Sequence, residues 1–441
     1  MVKKYNIGLL NGNVCTHTSI KKSSIGIKNN KILKIGKINS NECTKIIDCN
    51  DKYILPGIID TQVHFREPGL SHKEDINSGT KSAILGGVTT IFEMPNTSPA
   101  TINKRELEKK LKIAKNSSWT NYSFFIGACK ENLLNLSKLE KIKGCAGIKI
   151  FMGSSTGTLL LSEEKDLETA LRICKRRVAI HSEDEERLKK RFLQIKKKEG
   201  VLQHEYWRDT KSAVLSTKRV LKYANKYNTK AHILHISTKD EINLLRRTKK
   251  NITCEVTPQH LSLFSPNCYE SLGSKSQMNP PIRNRNHQKG LWEGISDGTV
   301  NVIGSDHAPH TLKEKSLKWP NSPSGLPGVQ TSLHIMLDFV SKKKLSLEKV
   351  IELLSYNPAK IYNIKNKGQI KKYFDADITI VDLNKSYTIK DSDMAYKCRW
   401  TPFHGKKVKG DIFATIINGK IKMINKKILG KPNGKVVLFN K

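Results

Sequence analysis

Apolar positions along the chain follow two different rhythms. Residues 1–55 carry short β-type runs broken by turn residues: YNIGLLNGNVC, SIGIKNNKILKIGKI and TKIIDCNDKYILPG, with Asn11-Gly12 and Asn29-Asn30 between such runs. Residues 366–441 return to the same style in ADITIVDLNK and GDIFATIINGKIKMINKKILG. Chain ends often lie close in space, so residues 1–55 and 366–441 are expected to pair into one small β-sandwich. Residues 56–365 alternate instead between apolar runs and amphipathic stretches. GVTTIFEMPN precedes NKRELEKKLKIAKN, RRVAIHSED precedes EERLKKRFLQIKKK, and KAHILHIST precedes KDEINLLRRTKK. Repeated strand-then-helix units predict a parallel α/β fold. The chemically rich residues sit at the C-terminal ends of the strand-like runs, where a (β/α)8 TIM-type barrel carries its site. An open doubly wound sheet is the alternative, weakened because no Gly-rich dinucleotide fingerprint follows the first strand.

Composition narrows the picture. A length of 441 residues suits a large barrel with an appended small domain, and 37% hydrophobic residues suffice for a core. The opening MVKKYNIGLLNG lacks an apolar run with a cleavage site, and no stretch of about 20 apolar residues could span a bilayer. The nine cysteines form no C-x-x-C pair, which argues against zinc fingers or a disulfide framework and for a reducing cytoplasm. The net charge of +38 raises nucleic-acid binding. The basic runs KKLKIAK, RRTKK and IKKKEG are dispersed and read as solvated helix faces, so the expectation is no nucleic-acid partner and a positive field that attracts an anionic small substrate.

Four strand ends carry metal-capable groups: His64, His181 after VAI, His235 after HIL, and Asp306 after VIGS. One strand histidine is ordinarily a core residue; four such groups at the same end of four strands suit zinc or a similar divalent ion. His232 and His235 are an odd number of residues apart, so alternation sends only one into the barrel. His235 is chosen, and His232 is read as structural. Lys149, flanked by Ile148 and Ile150, is a snorkelling lysine, one paired with an acid, or one modified by CO2, because a buried lone ammonium is costly. Trp207 and Arg208 in EYWRD read as helix packing and a salt bridge, and His72, His260 and His307 as supporting residues.

The motifs DTQVHFREPGLSHKEDINSGTKSAILGGVTTIFEMPNT, GIKIFMGSSTG, AIHSED, LHIST, CEVTPQHL, MNPPIR and GSDHAPHT resemble, in order, those of the dihydroorotases of the amidohydrolase superfamily. The resemblance implies a cytoplasmic enzyme of de novo pyrimidine biosynthesis that reversibly cyclises N-carbamoyl-L-aspartate to (S)-dihydroorotate. It implies one or two zinc ions per chain. His64 would hold the α metal, His181 and His235 the β metal, and Lys149, carboxylated on its side-chain nitrogen, would bridge them. Asp306 would bind the α metal and serve as acid and base. Arg66, Asn96, Asn279 and His310 would bind substrate, with backbone near Gly325. A homodimer and an association with aspartate carbamoyltransferase are the partners it implies. Two alternatives stay open: a non-catalytic scaffold of that carbamoyltransferase, and another cyclic-amide hydrolase such as an allantoinase or hydantoinase.

The chain departs from this pattern at Gln62, where most of the family has a histidine. An amide is a poor replacement for imidazole on zinc, so a weakened α site is expected.

Overall fold

The computed structural model describes residues 3–155, 159–248 and 250–440. Eight parallel strands follow one another in chain order: Ile58–Val63, Val88–Glu93, Asn121–Gly127, Cys145–Phe151, Val178–His181, Ala231–Ile233, Thr253–Val256 and Val302–Ile303. Parallel pairing of Val63 with His307 closes the ring, and the His64 N–H donates to the His307 carbonyl at 2.8 Å. The fold is thus the expected (β/α)8 barrel. Its strands are apolar along most of their length because helices cover their outer faces. The helix Lys104–Ser117 illustrates the covering layer. Asn103 caps it by accepting from the Glu106 N–H, and Leu107, Lys110 and Ala114 form its buried face at helical spacing. The buried Lys110 is matched by Glu93 at the end of the second strand, 2.6 Å away.

Head and tail join in one nine-stranded sheet, as their shared pattern suggests. The tail strand Ile378–Thr388 runs antiparallel to the head strand Tyr53–Pro56, with Ile378 opposite Pro56 and Ile380 opposite Ile54. Ile7, Leu9, Ile25, Ile27, Ile378 and Ile380 belong to one buried cluster of this sheet. The two dipeptides read as turns behave differently. Asn29 and Asn30 both adopt positive φ (48° and 69°) and form a hairpin turn between Ile20–Lys28 and Lys31–Gly36. Asn11-Gly12 instead lies inside the continuous strand Tyr5–Cys15, where the register against the next strand shifts: it is a bulge. The sheet is fastened to the barrel by side chains; Thr379 and Thr415 donate to the carbonyls of Gly87 (2.6 Å) and Ile84 (2.7 Å).

Register fixes what faces the barrel interior. Lys149, Ala179, His232 and Thr253 are Cα partners across four neighbouring strands and therefore point the same way. The expectation that only one of His232 and His235 looks inward fails. The strand ends at Ile233, and His235 takes a left-handed conformation (φ 38°) that returns its side chain to the site cavity. Both histidines face inward, at different depths.

Candidate active site

The first strand presents Gln62 and His64 on one side, as two-residue spacing demands. The Gln62 amide donates to Asp306 Oδ1 at 2.9 Å, and its own Oε1 is buried with no partner among the described residues. His64 Nδ1 lies 2.7 Å from Asn96 Oδ1. That contact makes Nδ1 the N–H and leaves the Nε2 lone pair facing Asp306 Oδ1 at 3.3 Å. Two electron-rich atoms this close are reconciled by a cation or a proton between them.

A second pair repeats this logic. His181 Nε2 is 2.9 Å from the Glu183 carboxylate, so Nδ1 carries the lone pair that faces His235 Nε2 at 3.1 Å. Glu183 is gripped by Arg208, whose Nη2 donates to Oε2 at 2.6 Å while Nε reaches both oxygens at 3.1 Å. Burial alone would raise the Glu183 carboxyl, but Arg208 and His181 outweigh it and hold it below the usual carboxylate range. His64, His181 and His235 are all shifted down by burial, which favours neutral imidazoles, the metal-ligating form.

Lys149 lies between these pairs. It is 1% exposed, its Nζ has no hydrogen-bond partner among the described residues, and the Phe151 ring is 4.3 Å away. Burial pushes its pKa down to about 7, against the opposing pull of Asp306 and Glu255. The deeper His232 contacts Glu255 at 3.1 Å and Thr253 Oγ1 at 2.8 Å. Glu255, raised by burial to about 8, also accepts from Thr61 at 3.1 Å. His232 is thus held by its neighbours beneath the cavity.

Arg66 is 1% exposed, adopts φ 66°, and donates from Nε to the Pro309 carbonyl at 3.3 Å; its Nη1 has no partner among the described residues. Arg66, His235 and Asp306 (φ 44°) all take the left-handed backbone that non-glycine residues avoid. Strain of this kind, on the order of 1–3 kcal/mol per residue, concentrates at functional sites.

Gln62, His64, Arg66, Lys149, His181, His235 and Asp306 line one cavity with Asn96, Asn279 and Gly325. Asn279 donates to Ser155 Oγ at 3.4 Å, and its Oδ1 has no partner among the described residues. A Cβ on Gly325 (φ 146°) would lie 2.4 Å from the Ala308 carbonyl oxygen, so only glycine fits this wall. His310 is not in the wall. It stands behind Arg66, with Nε2 3.3 Å from Nη2 and 3.1 Å from the Ser324 carbonyl, and its Nδ1 accepts from Lys73 at 3.2 Å. Thr156 and Gly157 of the GIKIFMGSSTG motif lie outside the described residues. His260 is occupied by Thr257 (2.8 Å) and the Pro280 carbonyl (3.1 Å), and His307 accepts from the Gly328 N–H at 3.0 Å.

Sequence reasoning missed Glu183 and understated Arg208, whose ion pair holds a candidate ligand. The acid two residues after His181 was the available signal. Among the described residues, no three His, Cys, Asp or Glu side chains already converge as a metal cage. The two pairs of donors and Lys149 line the same cavity.

Imidazoles with inward lone pairs, an aspartate and a buried lysine at the C-terminal rim of a (β/α)8 barrel define the site of a cyclic-amide hydrolase. The chain belongs to the amidohydrolase family, whose sequence profile matches residues 53–422. It is similar to the dihydroorotase of Methanosphaera stadtmanae, 33% identical over 92% of this chain and 94% of that one. The Pyrococcus abyssi dihydroorotase is 35% identical over 94% of each chain. Among solved structures, the L-hydantoinase (dihydropyrimidinase) of Arthrobacter aurescens superposes with a TM-score of 0.93 at 25% identity, covering 98% of this chain and 99% of that one. No helix of the described residues is long and apolar enough to cross a membrane.

Proposed function

We propose that the protein is a dihydroorotase, interconverting dihydroorotate and N-carbamoyl-L-aspartate. The observation that carries this reading is the buried Arg66 guanidinium, which lines the cavity beside His64 and Asp306 with one N–H group unpartnered. Such a group calls for a carboxylate. Dihydroorotate has one; hydantoin and dihydrouracil rings do not.

The donor set fits a divalent metal, with zinc the natural occupant of imidazole and carboxylate ligands. His64 and Asp306 would hold one position, His181 and His235 the other, and a carboxylated Lys149 would serve both. The unpartnered, burial-lowered amine of Lys149 supports that modification, since a neutral amine is the form that reacts with CO2. The bound metal would supply polarisation of the ring carbonyl and acidification of water. Arg66 would orient the substrate through its carboxylate, and Asn96 and Asn279 would hold the amide edge of the ring. Asp306 would take the proton of the attacking water as its oxygen bonds to the carbonyl carbon. It would return that proton to the ring nitrogen as the C–N bond breaks.

The test is hydrolysis by the purified chain alone, assayed with dihydroorotate, dihydrouracil and allantoin alongside metal analysis. Turnover of dihydroorotate above the others, abolished by chelation, is expected. Preference for either neutral ring would reject the substrate. An inactive chain on which aspartate carbamoyltransferase depends would restore the scaffold reading.

A further inference from the structure

Lys315 ends the short helix Leu312–Lys315, five residues beyond His310, and is 3% exposed. Among the described residues no carboxylate lies within ion-pair distance of it. Its ammonium instead meets three main-chain carbonyls, those of Gln277 (3.2 Å), Pro323 (2.8 Å) and Gly325 (3.3 Å). Three acceptors match the three N–H groups of the protonated form; a neutral amine would set its lone pair against one of them. Burial lowers the Lys315 pKa to about 7 against the opposing pull of Glu314, and it is the three carbonyls that favour the protonated form.

The place of the charge suggests its use. Gly325 and Ser324 form part of the cavity wall, and Asn279 follows two residues after Gln277. The positive charge of Lys315 is felt at His310 together with those of Arg66 and Lys73. Glu314 pairs directly with Lys73 at 2.8 Å and offsets Lys315 only through space. The field of this charge favours an anion in the cavity.

We propose that Lys315 is a specificity-determining residue: without touching substrate, it biases the cavity toward ring substrates bearing a carboxylate and fixes the Gly325 wall. This rests on the dihydroorotase reading for the identity of the anion. A group that only ties loops together would serve charged and neutral substrates alike.

The experiment compares wild type with Lys315→Met and Lys315→Arg at equal metal content. Lys315→Met is expected to lower kcat/KM for dihydroorotate by roughly tenfold or more, chiefly through KM, with less than about a threefold change for neutral dihydrouracil; Lys315→Arg should recover most of the loss. Equal losses on both substrates would overturn the proposal. Binding of orotate and of uracil by calorimetry gives a second readout that needs no turnover. A wild-type preference for orotate that shrinks in the Met variant supports the proposal even if dihydroorotate is not turned over, in which case only the dihydroorotase reading falls. An unchanged preference overturns the proposal. Should the Met variant fail to fold, Lys315→Gln against Lys315→Arg supplies the same comparison of charge.

Discussion

Replacing Arg208 with methionine isolates the support behind His181. Arg208 and Glu183 are 1% and 0% exposed, so their pair is fully desolvated. The substitution removes the 2.6 Å bond to Glu183 Oε2, the two Nε contacts at 3.1 Å, and the 2.6 Å bond to the Ser154 carbonyl. Removing one partner of a buried ion pair typically costs about 3–5 kcal/mol, because the other charge is left uncompensated. Here His181 remains 2.9 Å from Glu183 and can take up part of that charge, so the lower half of the range, about 3 kcal/mol, is expected. The stranded carboxylate would then pull a proton onto His181, competing with any metal at Nδ1. Arg208→Met should therefore lose both stability in urea and metal retention against a chelator. Glu183→Gln combined with Arg208→Met should be less unstable than the sum of the single changes, since no buried charge remains unpaired. A loss below about 1 kcal/mol, with unchanged metal dissociation, would refute the idea that this pair holds the ligand.

Two further outcomes are expected. Gln62→His should raise metal content toward about two ions per chain and slow metal loss during dialysis; elemental analysis showing wild type already at that level with equally retained ions would remove the argument. His204, buried and donating from Nε2 to the Met278 carbonyl at 2.9 Å, is lowered by burial to about 3. Its unfolded value is near 6.5. The unfolded chain therefore binds the extra proton first, and stability is full above pH ~6.5 and falls by about 1.4 kcal/mol per pH unit below it. His204→Gln, which keeps an N–H donor, should flatten urea-measured stability between pH 6.5 and 4.5 relative to wild type; an unchanged slope would assign the acid sensitivity to other groups.

The barrel was legible because alternation of apolar strands with amphipathic helices is a property of many residues at once. The strand-end groups were legible because the barrel gathers such positions on one rim. The failures are local. Alternation misjudged His232 because it presumes an unbroken strand, and the left-handed turn at His235 is not written in any glycine. Asn11-Gly12 has the composition of a turn, yet the strand continues through it as a bulge. Arg208 read as a salt bridge with no partner named because Glu183 is 25 residues away, and only the fold reveals that partner and the full burial of the pair. His310, which the motif resemblance marks as holding substrate, has its ring between Lys73 and the Ser324 carbonyl, next to Arg66.

Gln62 gains a positive role from the geometry. An imidazole at this position would offer a lone pair to a cation, whereas the amide N–H is spent on Asp306 Oδ1. That same oxygen faces His64 Nε2 at 3.3 Å, and neither contact engages Oδ2. One carboxylate oxygen is thus anchored on the strand that carries His64, leaving the other for the proton transfer proposed for Asp306. On the proposed reading, the substitution trades metal affinity for orientation of the acid–base group. Among the described residues, neither His181 nor its supports Glu183 and Arg208 hydrogen-bond to Gln62, so the second donor pair does not depend on the residue at this position.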